Sequence, residues 1–445
     1  MSQDKLRQAA DQILQAALAA VEPARAVKSA LEIEGDTLRV GGESLDLASF
    51  KHIIAVGAGK AGGPMSAALE EVLGERLEAG KVVVKDGHGV PTRLIQLSEA
   101  SHPVPDQRGV RAGQEIAELV ASRAAEDTLF FCLLSGGGSA LLVAPAEGIS
   151  LEDKQETTRL LLACGADIAE INAIRKHLSD LKGGGLARRC APGRVITLII
   201  SDVVGDRLDT IASGPTAPDA TTWHDCREIL TRYHIWDQVP APVRTRIEAG
   251  LAGEIPDTPK EGDPALERVT NLVVAGNRQA LKVAADKARE LGFTPLILSS
   301  TIEGETKEIA RMHAAMGREV LESGHPLPAP CCLISGGETT VNLGESSGKG
   351  GRNQEFALAA ALDLEGLENI LALSAGTDGT DGPTDAAGAR ADGRTCARAR
   401  EKGLDPRAYL EDHDAYHFFQ ALDDLIITGP TRTNVMDIRL VLVGA

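Results

Sequence analysis

Three kinds of residue in this chain could act on an anion, and each sits beside glycines. The first is the turn Gly57-Ala58-Gly59-Lys60-Ala61-Gly62, which follows an apolar run and fits G-x-G-x-x-G. Lys60 lies inside it, where an ammonium would reach a phosphate held at a helix N-terminus. The second kind is a pair of glycine loops, Ser135-Gly136-Gly137-Gly138-Ser139 and Ser335-Gly336-Gly337-Glu338, both closing apolar runs. Such loops can turn successive backbone N–H groups toward an anion. The third is a set of aspartates, Asp202 and Asp206 in SDVVGD and Asp378 and Asp381 in TDGTDG.

The first turn alone suggests a dinucleotide site, with Asp86 about where a ribose-binding acid belongs. G-x-x-x-x-G-K-[ST] is missing from the chain. The aspartates decide between hydride and phosphoryl transfer. Carboxylates around an anionic hydroxy acid repel it unless Mg²⁺ lies between, and Mg²⁺ takes one or two carboxylates plus substrate phosphates. Hydride transfer needs no such ion. The competing explanation for each aspartate is turn and cap chemistry. Asp385 reads as the N-cap of a following helix.

Basic residues complete the set. The stretch 171–185 (INAIRKHLSDLKGGG) reads as a helix with Ile171, Ile174, Leu178 and Leu181 on an apolar stripe. Asn172, Arg175, Lys176, Ser179 and Lys182 fall on the other side, which is either a solvated face or, given the three glycines that end it, a ligand-facing one. His177 reads as packed or capping. Arg352 follows Gly350 and Gly351 at the start of a helix, where a guanidinium can grip a carboxylate or phosphate through paired donors. Thr431, Thr433 and Asn434 in TGPTRTN could line the same site or form a plain turn.

These residues need a scaffold, and the text supplies one repeatedly: an apolar run, a glycine turn, then a helical pattern. HIIAVGAGKAG, LFFCLLSGGGS, VITLIISDVVGD, NLVVAGN, CCLISGGE and ILALSAGTDG share this design. Alternation of this kind predicts α/β layers with a largely parallel, doubly wound sheet, whose ligands bind beyond the carboxyl ends of the strands. Residues 5–21 form an amphipathic opening helix. Residues 1–240 read as an N-terminal Rossmann-like domain, the proline-bearing stretch 241–266 as a linker, and 267–445 as a C-terminal α/β domain. The active site is expected in the cleft between them.

Composition bounds the rest. With 445 residues of which 43% are hydrophobic, more than one core is expected. A net charge of −18 argues against nucleic-acid or anionic-membrane partners, so any phosphate site must gather local positive charge. The 7 cysteines lack C-x-x-C spacing and read as reduced thiols, with Cys132, Cys331 and Cys332 packed in strands. No secretory signal or membrane-length apolar run is present, which makes the expected location cytoplasmic. The oligomeric state stays open, a homo-oligomer included.

Taken together, VGAGKA, SEASHPVPD, LSGGGSALL, NAIRKHLSDLKGGGLA, SDVVGD, ASGPT, ISGGETTV, GKGGRNQE, SAGTDGTDGPTDAAGA and TGPTRTNV resemble the glycerate 2-kinase family over nearly the whole chain. Older usage often called its members hydroxypyruvate reductases. The resemblance implies two three-layer α/β domains around a cleft, with ATP, a divalent cation such as Mg²⁺, and D-glycerate as ligands. It carries over Lys60, Asp202, Arg352 and Asp378 as catalytic residues. Lys60 and Arg352 would then meet phosphate oxygens or the glycerate carboxylate. Asp202 and Asp378 would hold Mg²⁺ or accept the 2-hydroxyl proton. Gly57, Gly59, Ser135, Gly136, Gly137, Gly138, Ser139, Lys182, Gly336 and Gly337 would line the nucleotide. Two other readings are an NAD(P)H-dependent hydroxypyruvate reductase and a nucleotide- or sugar-acid-binding regulator without catalysis. The regulator has no use for clustered aspartates and lysines.

Overall fold

The computed structural model describes residues 1–344 and 346–445. The chain forms two compact units, one of Pro23–Val274 and one of Met1–Glu22 together with Ala275–Ala445. Helix α1 (Gln3–Ala20) is amphipathic as expected and buries Leu6, Ala10, Ile13 and Leu14. Its partners come late in the sequence: Arg7 pairs with Asp392 and Asp424, each at 2.7 Å. The expected N-terminal boundary is therefore corrected, because α1 completes the C-terminal unit.

In the Pro23–Val274 unit, α2 (Pro23–Ala30) and a meander of β1 (Glu32–Glu34), β2 (Thr37–Val40) and β3 (Glu43–Asp46) precede a six-stranded sheet. That sheet holds β4 (His52–Ala58), β5 (Ala79–Lys85), β6 (Ile95–Ala100), β7 (Thr128–Leu134), β8 (Arg194–Ile200) and β9 (Val269–Ala275), in the order β6-β5-β4-β7-β8-β9. Every pairing from β6 through to β8 is parallel. All of β7 is buried, as a strand covered on both faces must be. Helices α3 (Gly62–Leu73) and α4 (Gln107–Arg123) serve the crossovers that parallel pairing demands.

The strand order reverses between β4 and β7. In doubly wound sheets the crevice at that reversal, beyond the carboxyl ends, is the ligand site. The Lys60 turn follows β4 and the Ser135–Ser139 loop follows β7, so both glycine motifs flank the reversal.

Four helices intervene between β7 and β8: α5 (Gly138–Leu141), α6 (Leu151–Ala163), α7 (Ile168–His177) and α8 (Gly185–Cys190). Helix α7 stops at His177 and the residues to Gly184 form a loop, shorter than the helix expected over 171–185. After β8 come α9 (Trp223–Arg232) and α10 (Ala241–Leu251). The stretch expected as a linker is thus corrected. Val243 and Ile247 of α10 are buried in one cluster with Trp223, Ile229 and Leu230, and the proline near the start of α10 suits a helix N-terminus. Strand β9 likewise belongs to this first sheet, beside β8, and not to the unit that follows it.

The other unit continues through α11 (Asn277–Glu290), β10 (Thr294–Ile302), α12 (Thr306–Ser323), β11 (Cys331–Gly337), α13 (Arg352–Asp363), β12 (Ile370–Gly376), β13 (Gly388–Asp392), β14 (Leu425–Ile426) and β15 (Asp437–Val443). Its sheet order is β10-β11-β15-β12-β13-β14. Only β10 with β11 is parallel; the remaining pairings are antiparallel. This sheet is mixed because β15 inserts between β11 and β12 against the direction of both. Cys132, Cys331 and Cys332 are fully buried in their strands, as expected. No helix of the described residues is long and apolar enough to cross a membrane.

Candidate active site

The residues singled out in the sequence fall into two sets, one on each unit. On the Pro23–Val274 unit, the Lys60 turn and the Ser135–Ser139 loop are bonded to each other. Lys60 N–H donates to the Gly136 carbonyl at 2.8 Å, and Ala61 N–H donates to Ser135 Oγ at 3.0 Å. Gly59 permits this contact, since its φ is +145° and a Cβ there would lie 2.1 Å from Ser135 Oγ. A Cβ on Gly57 would lie 2.0 Å from the Leu133 carbonyl oxygen, and one on Gly62 would lie 2.8 Å from Val82 Cγ1. The fingerprint glycines are therefore required by chain packing.

The acid of the dinucleotide reading is also engaged. Asp86 accepts two hydrogen bonds from Arg108, at 2.7 and 2.8 Å. A bidentate guanidinium pair of this kind gives both Asp86 oxygens a partner within the chain.

What stays available is polar and positive. Among the described residues the Lys60 ammonium has no hydrogen-bond or ion-pair partner, and the N–H groups of Gly136 and Gly137 have no protein acceptor. Gly137 is left-handed, with φ +82°, which bends the loop between them. A Cβ on Gly137 would meet His102 Nε2 at 3.1 Å and Lys60 Cγ at 3.3 Å, so both side chains lie over the loop. Burial, helped by the charges of Lys60, Lys85 and His88, pushes the His102 imidazole down to about 4. His102 is hence neutral at ordinary pH. A Cβ on Gly136 would lie 2.2 Å from Asp202 Oδ2, which places that carboxylate directly on the loop. Lys182 donates to the Ser139 carbonyl at 2.6 Å from behind. Burial, with the charges of Lys154 and Arg175, holds the Lys182 amine well below its ordinary range.

The polar side of α7 is not a solvated face. Asn172, Lys176 and His177 are buried, as are Ser179 and Lys182 in the loop beyond it. His177 is a packing residue: Nδ1 bonds the Ala173 carbonyl and Nε2 bonds Asp257, both at 2.8 Å.

The second unit holds Arg352, Asp378, Gly336 and Gly337. The Ser335–Glu338 motif is corrected from a phosphate loop to a strand end. Gly336 and Gly337 pair with Ile438 and Asp437 of β15, and Gly337 also pairs with Ile302 of β10. Their backbones are committed to the sheet. Arg352 opens α13, but the chain itself fills that helix N-terminus. Asp381 Oδ1 accepts from Asn353 N–H at 3.0 Å and Oδ2 from Gln354 N–H at 2.8 Å. Burial still raises the Asp381 carboxyl, to about 6. Asp378 is the more open of the pair, with Oδ1 closing a turn onto Thr380 N–H at 3.0 Å. Asp385 is no helix cap. It accepts from the Tyr416 hydroxyl at 2.7 Å, and the next element is strand β13. Thr431 and Thr433 serve the turn, donating to the carbonyls of Thr377 and Val21.

Arg352 is held by an aspartate that no sequence motif announces. Asp437 Oδ2 accepts from Arg352 Nε and from Arg439 Nη2, each at 2.8 Å, while Oδ1 accepts from Asn353 Nδ2 at 2.9 Å. Arg352 Nη1 pairs with Glu338 at 2.9 Å. The guanidinium of Arg352 is raised further by Asp437 and Glu338 against the opposing effect of burial.

Below Arg439, His313 of α12 bonds Ser335 Oγ at 2.7 Å and the Ile309 carbonyl at 2.7 Å. Burial lowers its imidazole from 6.5 to about 4. A neutral buried histidine costs stability once the unfolded chain can bind a proton that the folded one refuses. This stabilisation is full above pH 6.5 and is lost as pH falls toward 4, on the order of 3 kcal/mol. Urea midpoints at pH 7 and pH 4.5 should fall further for the wild type than for His313→Gln. Parallel falls would assign the acid sensitivity elsewhere.

Residues 9–248 match a domain of unknown function (DUF4147), and residues 331–437 match the MOFRL family. A glycerate 2-kinase of Pyrococcus horikoshii is 44% identical, with 96% of this chain and 95% of that protein aligned. The chain belongs to the glycerate 2-kinase family. The crystal structure of a glycerate kinase from Thermotoga maritima superposes with a TM-score of 0.89 at 40% identity, covering 99% of this chain and 100% of that one. An Agrobacterium vitis relative of this glycerate 2-kinase family chain, 45% identical over 88% of this chain and 87% of its own, is named only provisionally, as a hydroxypyruvate reductase.

Proposed function

We propose that this protein transfers the γ-phosphoryl group of ATP to the 2-hydroxyl of D-glycerate, giving 2-phosphoglycerate and ADP. The observation that carries the reading is the unpartnered Lys60 ammonium beside the free N–H groups of Gly136 and Gly137, at the reversal of a doubly wound sheet in a glycerate 2-kinase family chain. The glycerate 2-hydroxyl oxygen forms the new P–O bond as the bond to the ADP leaving oxygen breaks. Phosphoryl transfer asks mainly for positioning and for neutralisation of charge on the equatorial oxygens. Lys60 and the loop N–H groups suit those oxygens, and Lys182 supports the loop from behind. Arg352 offers its remaining donors to the glycerate carboxylate or a phosphate.

Mg²⁺ enters this scheme with ATP, as part of the substrate. Among the described residues no three acidic, histidine or cysteine side chains cluster as a metal cage. A nucleotide-borne Mg²⁺ needs no cage, since it keeps waters and phosphate oxygens and takes one or two carboxylates. Asp202, lying on the glycine loop, fits that demand. Asp378 is the second candidate, as ligand or as acceptor of the hydroxyl proton. The ion would draw charge from the transferring group. The work is assigned to the cytoplasm.

The reductase reading loses its support at Asp86 and at Gly57, Gly59 and Gly62, all of which are engaged by the chain. Protein given ATP, Mg²⁺ and D-glycerate should produce 2-phosphoglycerate, read by enolase and pyruvate kinase with no mutase added. NADH oxidation by hydroxypyruvate, faster than any phosphorylation, would overturn this reading.

A further inference from the structure

The turn after β8 is strained where nothing in the sequence requires it. Ala212, Ser213 and Gly214 have φ of +52°, +61° and +61°. Left-handed backbone at a non-glycine residue costs roughly 1–2 kcal/mol. Such strain persists only where the surroundings enforce it. Here the loop bearing Lys182 does so: Gly183 N–H donates to the Ser213 carbonyl at 2.9 Å and Gly184 N–H to the Gly214 carbonyl at 2.7 Å.

The result is one fully buried hydroxyl placed between two elements. Ser213 Oγ lies 2.8 Å from Ser139 Oγ and donates to Asn172 Oδ1 at 3.2 Å. Lys182 Nζ donates to Ser139 Oγ at 3.3 Å. Each hydroxyl has a single proton, so these bonds have one consistent direction. Lys182 donates to Ser139, Ser139 to Ser213, and Ser213 to Asn172. With its carbonyl oxygen accepting from Ser213, Asn172 presents both N–H groups of its amide elsewhere. Asn172 is only 5% exposed, but its amide nitrogen, which has no protein partner among the described residues, is not one of the enclosed unsatisfied atoms, so a ligand can reach it.

We propose that Asn172 is a further ligand-binding residue, and that Ser213 is the positioning residue that turns its N–H edge toward an anionic oxygen of the ligand. The inference rests on the kinase reading for its choice of ligand, which leaves two sources for that oxygen: a nucleotide phosphate or the glycerate carboxylate. The SGPT turn thus trades backbone comfort for a fixed donor.

Steady-state kinetics of Asn172→Asp and Ser213→Gly, with denaturation midpoints, test this. Asn172→Asp keeps the acceptor and shape but loses the donors. Ser213→Gly removes the hydroxyl while relieving φ +61°, so its midpoint should hold or rise. Both should raise the same KM by at least tenfold with a smaller change in kcat. A rise for ATP assigns the phosphate, and one for D-glycerate assigns the carboxylate. Two folded variants with both KM values within twofold of wild type would overturn the inference. If the wild type makes no phosphoglycerate, the kinase reading fails and tripolyphosphate becomes the probe. Thermal stabilisation of wild type but not Asn172→Asp would then support the donor role, and equal stabilisation would sink it.

Discussion

Asp437→Ala is expected to lower the unfolding free energy by about 3–5 kcal/mol, the usual consequence of orphaning a buried charge. Arg439 is 1% exposed and Asp437 fully buried. Among the described residues, Asp437 is the only carboxylate within ion-pair distance of Arg439. Two other donors of that guanidinium, Nε and Nη1, already lack partners. Asp437→Asn keeps one acceptor and should lose less. The same aspartate aims Arg352, so the alanine variant should also resemble Arg352→Ala in activity under conditions where it stays folded. Arg352→Lys keeps the charge but cannot reach Asp437, Glu338 and a ligand at once, so it should recover only a minority of the loss. Urea denaturation and initial rates read both effects. Wild-type stability for Asp437→Ala would mean that the Arg439 charge is balanced by other means.

Lys60→Ala carries the largest expected effect on rate. On the role proposed for it, the ammonium meets charge that grows during transfer, and its loss should lower kcat/KM by roughly 10²–10³, about 3–4 kcal/mol. The denaturation midpoint should barely move, because this side chain bonds nothing among the described residues. A variant with near-normal turnover would make Lys60 a bystander and would shift the burden to the loop N–H groups.

The strands and their glycine turns were legible because a strand buried on both faces is written as an unbroken apolar run. HIIAVGA and LFFCLLS announce themselves, and so do the loops at their ends. Strand order and direction are not written locally. Nothing in DIRLVLV says that it enters the middle of a sheet against both neighbours, and nothing in NLVVA assigns it to the earlier sheet. The same limit applies to the site. Lys60 stands inside a motif, whereas Asp437 opens an ordinary apolar strand and gains its role through Arg352 and Asn353, 85 and 84 positions away. Ser213 left a faint signal, an SGPT turn beside a strand, but backbone strain depends on φ and has no spelling. The Gly336-Gly337 pair misled because the same two glycines serve a cradle or a crowded strand end, and only Asn277 and Ile302 distinguish them.

The affiliation of α1 has a consequence for the order in which the protein can fold on the ribosome. Its apolar stripe of Leu6, Ile13 and Leu14 is made well before the rest of its unit, which resumes at Ala275. Synthesis at about 5–20 residues per second leaves a wait of roughly 13–50 s. During that interval the intervening unit can finish folding, while an isolated amphipathic helix is only marginally stable in water. The nascent chain therefore carries an uncovered sticky segment until that later stretch has been made.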